Sequence, residues 1–398
     1  MPPEKSAKSK NLVLVGGGHS HAIVLRMLGM KPLAGVGLTL ISPNSDTPYS
    51  GMLPGHIAGF YNHDECHIDL HRLTQFAQAQ FYVDRAINLD LQNKKVICAH
   101  HPAVDFDVLS VDIGSTPAKI SVSDAAECVV PAKPVSELLK HWYQLLKSVE
   151  ANPQQLLRIA IAGGGAGGVE LALSMQAQLK RILSPSAILE VHLFQRDRQL
   201  MSKHHDSVQR LVEKILTQRG IKLYLGETVT QVTPLAQTGN QPTLQVKCES
   251  ELTVDCDKIF WVTQAAAPDW LKSTGLRTDE RGFILVGDTL QSLSHPDVFA
   301  AGDIATMIDH PRPKAGVFAV RQGKPLYTNL RRYLLGKPLK AYVPQKQYLS
   351  LIGTGDKSAI ATRGAFTLPP NKLLWYWKDW LDRRFMERFQ KLPQIEDI

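Results

Sequence analysis

Cysteine is scarce: five in 398 residues (Cys66, Cys98, Cys128, Cys248 and Cys256), with no CxxC pair and no metal-finger spacing. That sets aside a CxxC dithiol and a zinc ribbon. Long apolar runs are also missing, and none approaches the ~20 residues of a membrane-spanning helix. The opening MPPEKSAKSK is polar and lacks the apolar stretch of a secretory signal, so the thiols read as the reduced thiols of a cytosolic protein. No basic run interleaves with aromatics, and nucleic acid is not an expected partner. The charge surplus is moderate: 45 Lys and Arg against 37 Asp and Glu, a net +8. Such a surplus suits anionic small molecules or an anionic membrane surface. With 44% hydrophobic and 21% charged residues, the composition is globular, and the length exceeds one simple core. Two or three domains are expected.

What is present is a repeated pattern. NLVLVGGGHSHAIVLRML (11–28) and RIAIAGGGAGGVELALSM (158–175) each pass from a short apolar strand through a glycine cluster into a helical pattern. Each precedes a second β run, VGLTLIS (36–42) and LEVHLFQR (189–196). The repeat predicts two βαβ openings, and so an α/β chain with two Rossmann-like nucleotide-binding domains. KKVICA (95–100) and DVLSVDIGSTP (107–117) read as strands returning to the first domain. VVPAKPVSELLKHW (129–142) reads as a connector leading into a helix. DVFAAGDIATM (297–307) reads as a buried strand ending in Gly302-Asp303, and residues 346–368 as a hairpin around GTGDKS. Residues 371–392 are helical by pattern.

Glycines at this spacing let a strand turn sharply into a helix while a pyrophosphate packs on the exposed N–H groups of the helix start. The first makes the turn, the second admits the phosphate, and the third lets helix and strand pack closely. Gly163, Gly165 and Gly168 fill all three places in the second cluster. In the first, Gly16 and Gly18 fill two, His19 and Ser20 open the helix, and His21 stands in the third. A carboxylate ending the second strand would hold ribose hydroxyls. Ser42 stands there in the first repeat, with Asp46 four residues on; Gln195, followed by Arg196, stands there in the second. Serine and glutamine bind a ribose more weakly than a charged acceptor does. Arg196 has two uses open to it, the 2′-phosphate of NADPH or a solvated loop charge, so NADH and NADPH both stay open.

Two further stretches carry chemistry-bearing residues. NHDECHIDLH (62–71) holds His63, Cys66, His67 and His71, which on one continuous helix would share a face. Asp69 reads as the cap of a following helix and breaks that spacing, so a polar loop is expected and no metal site. In the tail, Leu373, Trp377, Leu381, Phe385 and Phe389 recur every four residues among Lys378, Arg383, Arg384 and Arg388. Such a helix suits a membrane interface, or else its stripe packs on the hairpin or on a second subunit; both remain open.

Two dinucleotide folds with VFAAGD (298–303) after the second resemble the flavoproteins of the pyridine nucleotide–disulfide oxidoreductase class, over roughly residues 11–345. The resemblance implies FAD in the first fold, NADH or NADPH in the second, and Asp303 on the ribityl chain of the flavin. VDIGSTP (111–117) and FWVTQAAAP (260–268) match the segments that close the two folds, and bring in Gly114 and Thr263. Disulfide reductases of this class carry a CxxxxC pair where this chain has Tyr49, Ser50, Gly51 and Met52. The resemblance therefore implies a cysteine-free wall beside the flavin rather than a dithiol mechanism. Sulfide:quinone reductases take one cysteine from later in the chain, and none follows Cys256.

What remains is similar to type II NADH dehydrogenases. It is closer still to the flavoprotein half fused to selenide–water dikinases, on GGGHSH, PYSGMLPG, PKAGVFAVRQG and WKDWLDRRFMERF. A glutamate near the nicotinamide carries over to Glu170 of GGVELA. The dehydrogenases' quinone motif, AQxAxQ, is not met: KAGVFAVRQG (314–323) puts Val317 and Arg321 where its glutamines belong. Reduced flavin is anionic at its pyrimidine edge, so a helix N-terminus or a cation would stabilise it there. A helix beginning near Ala315, with Gly316 and Val317 in its first turn and Lys314 beside it, is expected to serve that edge.

The expected layout is an FAD domain over 1–128 and 286–345, split by an NAD(P)H domain over 129–285, with a C-terminal hairpin and amphipathic helix over 346–398. The expected activity is FAD-dependent electron transfer from NAD(P)H to a quinone, in the cytoplasm or at the cytoplasmic face of a membrane. A soluble reductase of sulfur or selenium metabolism and a slow redox sensor are the alternatives, and a homodimer is left open.

Overall fold

Two five-stranded parallel sheets follow one plan in the computed structural model, which describes residues 10–117, 129–235, 243–262 and 265–393. The first sheet runs Val298–Ala300, Val108–Val111, Lys10–Val15, Val36–Ser42, Gln80–Val83. The second runs Val129–Pro131, Lys258–Trp261, Leu157–Ala162, Leu189–Gln195, Lys222–Leu225. In both, the strand that opens a βαβ unit lies at the centre. Leu12 to Val15 and Ile159 to Ala162 are buried throughout, as parallel strands covered on both faces must be. The expected α/β fold is therefore the fold observed. Val298–Ala300 pairs with Val108–Val111 only after the chain has completed the second sheet, so a late return closes the first.

Each parallel sheet has an antiparallel companion of three strands: Ala86–Asp90, Lys95–Cys98 and Val104–Asp105 for the first, Val229–Pro234, Leu244–Cys248 and Thr253–Cys256 for the second. Lys95–Cys98 thus joins the companion and not the parallel sheet. Val129–Pro131, expected as a connector, is instead the edge strand of the second sheet, ahead of the helix Val135–Ala151. Val129 and Val130 favour an extended chain, and Pro131, which lacks an N–H, is tolerated because the strand is an edge.

The expected hairpin is a sheet of three strands, Ser350–Gly353, Ala359–Arg363 and Phe366–Asn371. The helix Lys372–Gln390 follows, its start capped by Asn371 Oδ1 accepting the Leu373 N–H at 2.7 Å. Its buried face is Trp375, Asp382, Phe385, Met386 and Phe389. The stripe read from the sequence therefore splits: Phe385 and Phe389 are inside, whereas Leu373 is 75% exposed and Trp377 44%. Stepping by four residues on a helix of 3.6 per turn drifts about 40° each time, so the ends of a long stripe face different ways. No helix is long and apolar enough to cross a membrane among the described residues. No disulfide joins the four described cysteines, all buried; Cys128 lies outside the described residues.

Candidate functional site

The second glycine turn follows the steric logic of its spacing. Gly163 has φ +121°, open only to glycine at low strain. A Cβ on Gly168 would lie 1.8 Å from the Gly163 carbonyl oxygen, so helix Ala166–Ile182 rests directly on the strand below it. A Cβ on Gly165 would meet nothing within 4 Å, which is the room a phosphate needs. Gln195 does not reach outward: its Oε1 accepts the Gly164 N–H at 2.8 Å and its Nε2 donates to Asp197 at 3.0 Å. Arg196 faces the same Asp197 carboxylate at 3.3 Å. An acid does stand beyond this strand, two residues past the place where the pattern expects it.

The first turn is filled differently. Gly16 has φ +96°, and a Cβ there would sit 2.3 Å from the Asp112 carbonyl oxygen. His21, in the third place, sends its ring down to Gly16 O at 2.7 Å and Ser110 Oγ at 2.8 Å. Burial holds its pKa near 4, so it is a neutral core histidine. Asp112, unmarked by the sequence pattern, accepts the Ser20 N–H at 2.9 Å and the His21 N–H at 3.2 Å. Its carboxylate lies where Cβ atoms on Gly18 and Gly302 would each come within 2.3 Å. Burial pushes this carboxyl up to about 7, against the pull of those two N–H groups. Ser42 is buried beside the turn. Asp46 turns away from it, its carboxylate 3.4 Å from His63.

His19, one residue past Gly18, meets Tyr49 edge-on at 5.6 Å between ring centroids. Its Nε2 is buried without a hydrogen-bond partner, and burial, opposed by the Asp303 carboxylate, lowers its pKa to about 4. Asp303 is paired with Lys133 at 2.6 Å, and Lys133 also donates to Ser115 Oγ at 2.9 Å. Gly114, next to Ser115, has φ +71° and nothing within 4 Å of a Cβ. Gly302 donates its N–H to Gln322 at 2.7 Å. A buried orphan nitrogen, an open glycine and an acid held by a lysine thus converge beside one glycine turn. This donor set fits a dinucleotide carrying a polar chain.

The helix expected near Ala315 starts at Gly316, with Ala315 as its N-cap and Val317 in the first turn. A Cβ on Gly316 would come 2.3 Å from Ser50 Oγ, so this helix start touches the loop at 49–52. Lys314 Nζ donates to Ala305 O at 2.6 Å and Thr306 Oγ1 at 2.9 Å, and lies 4.1 Å over the Phe283 ring. Burial lowers its pKa to about 8. The other wall of the site comes from the tail. Tyr49 stacks on Phe385 at 4.5 Å, and Lys378 donates to Gly51 O and, at 2.6 Å, to Asp382. Burial, followed by the Asp382 carboxylate, raises the Tyr49 pKa. Glu170 Oε1 accepts the Gly353 N–H at 2.8 Å, and burial lifts its carboxyl to about 7 while Lys378 pulls it down. Lys378 and Asp382 were legible as charges one helical turn apart on the same face as Trp375 and Phe385. Asp112 and Lys133 were not, because only tertiary packing brings them to a glycine turn. Thr263 lies outside the described residues.

Two βα glycine turns, one on each parallel sheet, with an acid after the closing strand of the first, are the layout of a chain that binds two dinucleotides. The chain belongs to the pyridine nucleotide-disulphide oxidoreductase family, whose model matches residues 10–323. It is 27% identical over 277 residues to ferroptosis suppressor protein 1 of Xenopus laevis, which covers 66% of this chain and 66% of that protein. This chain thus spans about two thirds of that relative's length. It is 23% identical over 380 residues to the type II NADH:quinone oxidoreductase of Haemophilus influenzae, covering 84% of this chain and 82% of that one. The solved sulfide:quinone oxidoreductase of Aquifex aeolicus has a TM-score of 0.77 over 96% of this chain and 91% of that chain, at 16% identity. That likeness is one of fold.

Proposed function

We propose that the chain is an FAD-dependent NAD(P)H dehydrogenase that delivers electrons to a quinone-like acceptor. The observation that carries this reading is the pair of glycine turns on equivalent sheets of one chain, combined with a loop at 49–52 that holds no cysteine. FAD held there would supply the two-electron carrier between the nicotinamide and the acceptor. The protein's part is to bind, orient and supply protons. Gly163, Gly165 and Gly168 would seat the nicotinamide dinucleotide. Gly16, Gly18, His19 and Ser20 would seat FAD, with Asp303, Gly302 and Gly114 along its chain and Tyr49, Ser50 and Gly51 beside its ring. The helix start at Ala315, Gly316 and Val317 would face the ring's anionic edge. Ser42 and Gln195 end the two second strands, where a ribose would lie, with Gln195 held on Gly164 and Asp197; Arg196, engaged with Asp197, leaves NADH and NADPH to experiment. Glu170, which burial raises to about 7 while its Oε1 accepts the Gly353 N–H, would exchange a proton near neutral pH.

Quinones are lipophilic, and the tail helix offers a route to them. Leu373, Tyr376, Trp377 and Trp380 are exposed, with Arg384 5.1 Å from the Trp380 ring. Aromatic rings beside a cation suit the membrane–water boundary, which supports a peripheral contact of this helix with a membrane surface. The test is anaerobic reduction of the purified yellow protein by NADH, then NADPH, followed by turnover with a short-chain quinone. Chain that cannot take up FAD sinks the proposal. Turnover only with sulfur or selenium compounds would instead favour the reading that GGGHSH and PYSGMLPG suggest, a reductase of chalcogen metabolism.

A further inference from the structure

We propose that Asp46, His63 and His67 form a binding site for a divalent transition metal of the zinc class. One ligand atom from each lies within 4.8 Å of the others. The polar-loop reading rested on Asp69 interrupting the helix, and Asp69 does cap the next helix by accepting the Arg72 N–H at 2.9 Å. The interruption removes His71, which packs against Phe81 at 4.8 Å between ring centroids, but not His63 and His67. These two are four apart across the turn His63–Cys66, and their rings stack at 3.7 Å with a 7° interplanar angle. The third ligand comes from the neighbouring strand. The strand Asp46–Pro48 pairs antiparallel with His67–Asp69, which sets Pro48 opposite His67 and swings Asp46 Oδ2 to 3.4 Å from His63 Nε2.

His67 already has its other ring nitrogen engaged in the way that orients a metal-ligating histidine. His67 Nδ1 donates to the His63 carbonyl oxygen at 2.8 Å, which leaves the lone pair on Nε2. His63 turns Nε2 toward Asp46, with Nδ1 3.5 Å from the exposed Asp64 carboxylate. The backbone beneath is held before any ion arrives: Asn62 and Glu65 close a capping box on the turn, and Arg383 of the tail helix grips Glu65 at 2.8 Å. Two imidazoles and one carboxylate match the nitrogen and oxygen donors that zinc takes, with a fourth position left for water. His56 is not part of the set, because its Nε2 is bonded to the Tyr143 hydroxyl. A bound ion would clamp the strand pair that leads into Tyr49, whose N–H is held by the Cys66 carbonyl oxygen at 2.7 Å.

The experiment is calorimetric titration of the untagged full chain, stripped with a chelator, with Zn2+, and a parallel titration with Co2+ read by its visible absorption. The expected result is one equivalent bound in the micromolar range or tighter. His63→Ala and Asp46→Asn should each weaken binding at least about tenfold. Both positions are partly exposed, so the fold survives, and an unchanged far-ultraviolet circular dichroism spectrum checks it. His71→Ala should bind as the parent does. No saturable binding, or equal binding by the parent and the His63 and Asp46 variants, overturns the proposal.

Discussion

Asp112 and Glu170 are both carboxyls whose burial moves them to about 7, and they do different work. Asp112 takes two N–H groups at the start of helix His19–Met30, the same kind of donor a pyrophosphate uses. Ionised, it would add negative charge beside phosphates seated at that helix start. Asp112→Asn is expected to bind FAD several-fold more tightly than the parent at about pH 8 and equally at about pH 6. Recovery of flavin fluorescence on dilution measures this, and a ratio independent of pH would exclude the effect. For Glu170, the ordinary value of 4.5 is raised to about 7 by burial. Between those values the folded chain keeps a proton that the unfolded chain has lost, so stability falls as pH rises through the window and levels off above it. Glu170→Gln should therefore gain stability relative to the parent between about pH 5 and about pH 8, seen by urea unfolding, and should lose the inflection near neutrality in the pH profile of turnover.

Among the elements, the helix Lys372–Gln390 carries two faces with separate tasks. Its inner face places Lys378 and Asp382, about one-tenth exposed, over the loop at 49–52. Removing one member of such a pair leaves the other charged and unpaired, at a cost of about 3 kcal/mol. Asp382→Ala should lower unfolding stability by that order, and Lys378→Met with Asp382→Leu should recover most of it in the same urea experiment. The outer face bears Trp377 and Trp380, 44% and 52% exposed. Trp377→Ala with Trp380→Ala should leave thermal stability unchanged but abolish co-sedimentation with anionic vesicles, if that face meets a membrane.

For the molecule as a whole, two equivalent sheets with separate glycine turns imply that one site can be closed without loss of the other. Gly168→Ala drives a methyl to 1.8 Å from the Gly163 carbonyl oxygen. The variant is expected to keep its flavin spectrum yet lose reduction by either nicotinamide, while dithionite still reduces it. Loss of both cofactors together would mean that the second sheet supports the first.

Local rules set much of this protein from the sequence alone. Aliphatic runs followed by glycines produced two βαβ openings, because only glycine takes the φ at Gly16 and Gly163 and only a missing Cβ admits the close approach at Gly168. The absence of cysteine from 49–52 likewise needed no coordinates to exclude a disulfide there. Tertiary structure decided what lies across the chain. Asp112 is 92 residues from Ser20, and Lys133 is 170 from Asp303, yet each pair is in contact. The tail's true inner face, and the meeting of Asp46 with His63 and His67, depend likewise on packing and strand pairing. Periodicity and spacing describe neighbours along the chain, whereas these contacts are chosen by the burial of whole sheets and helices, which no local pattern encodes.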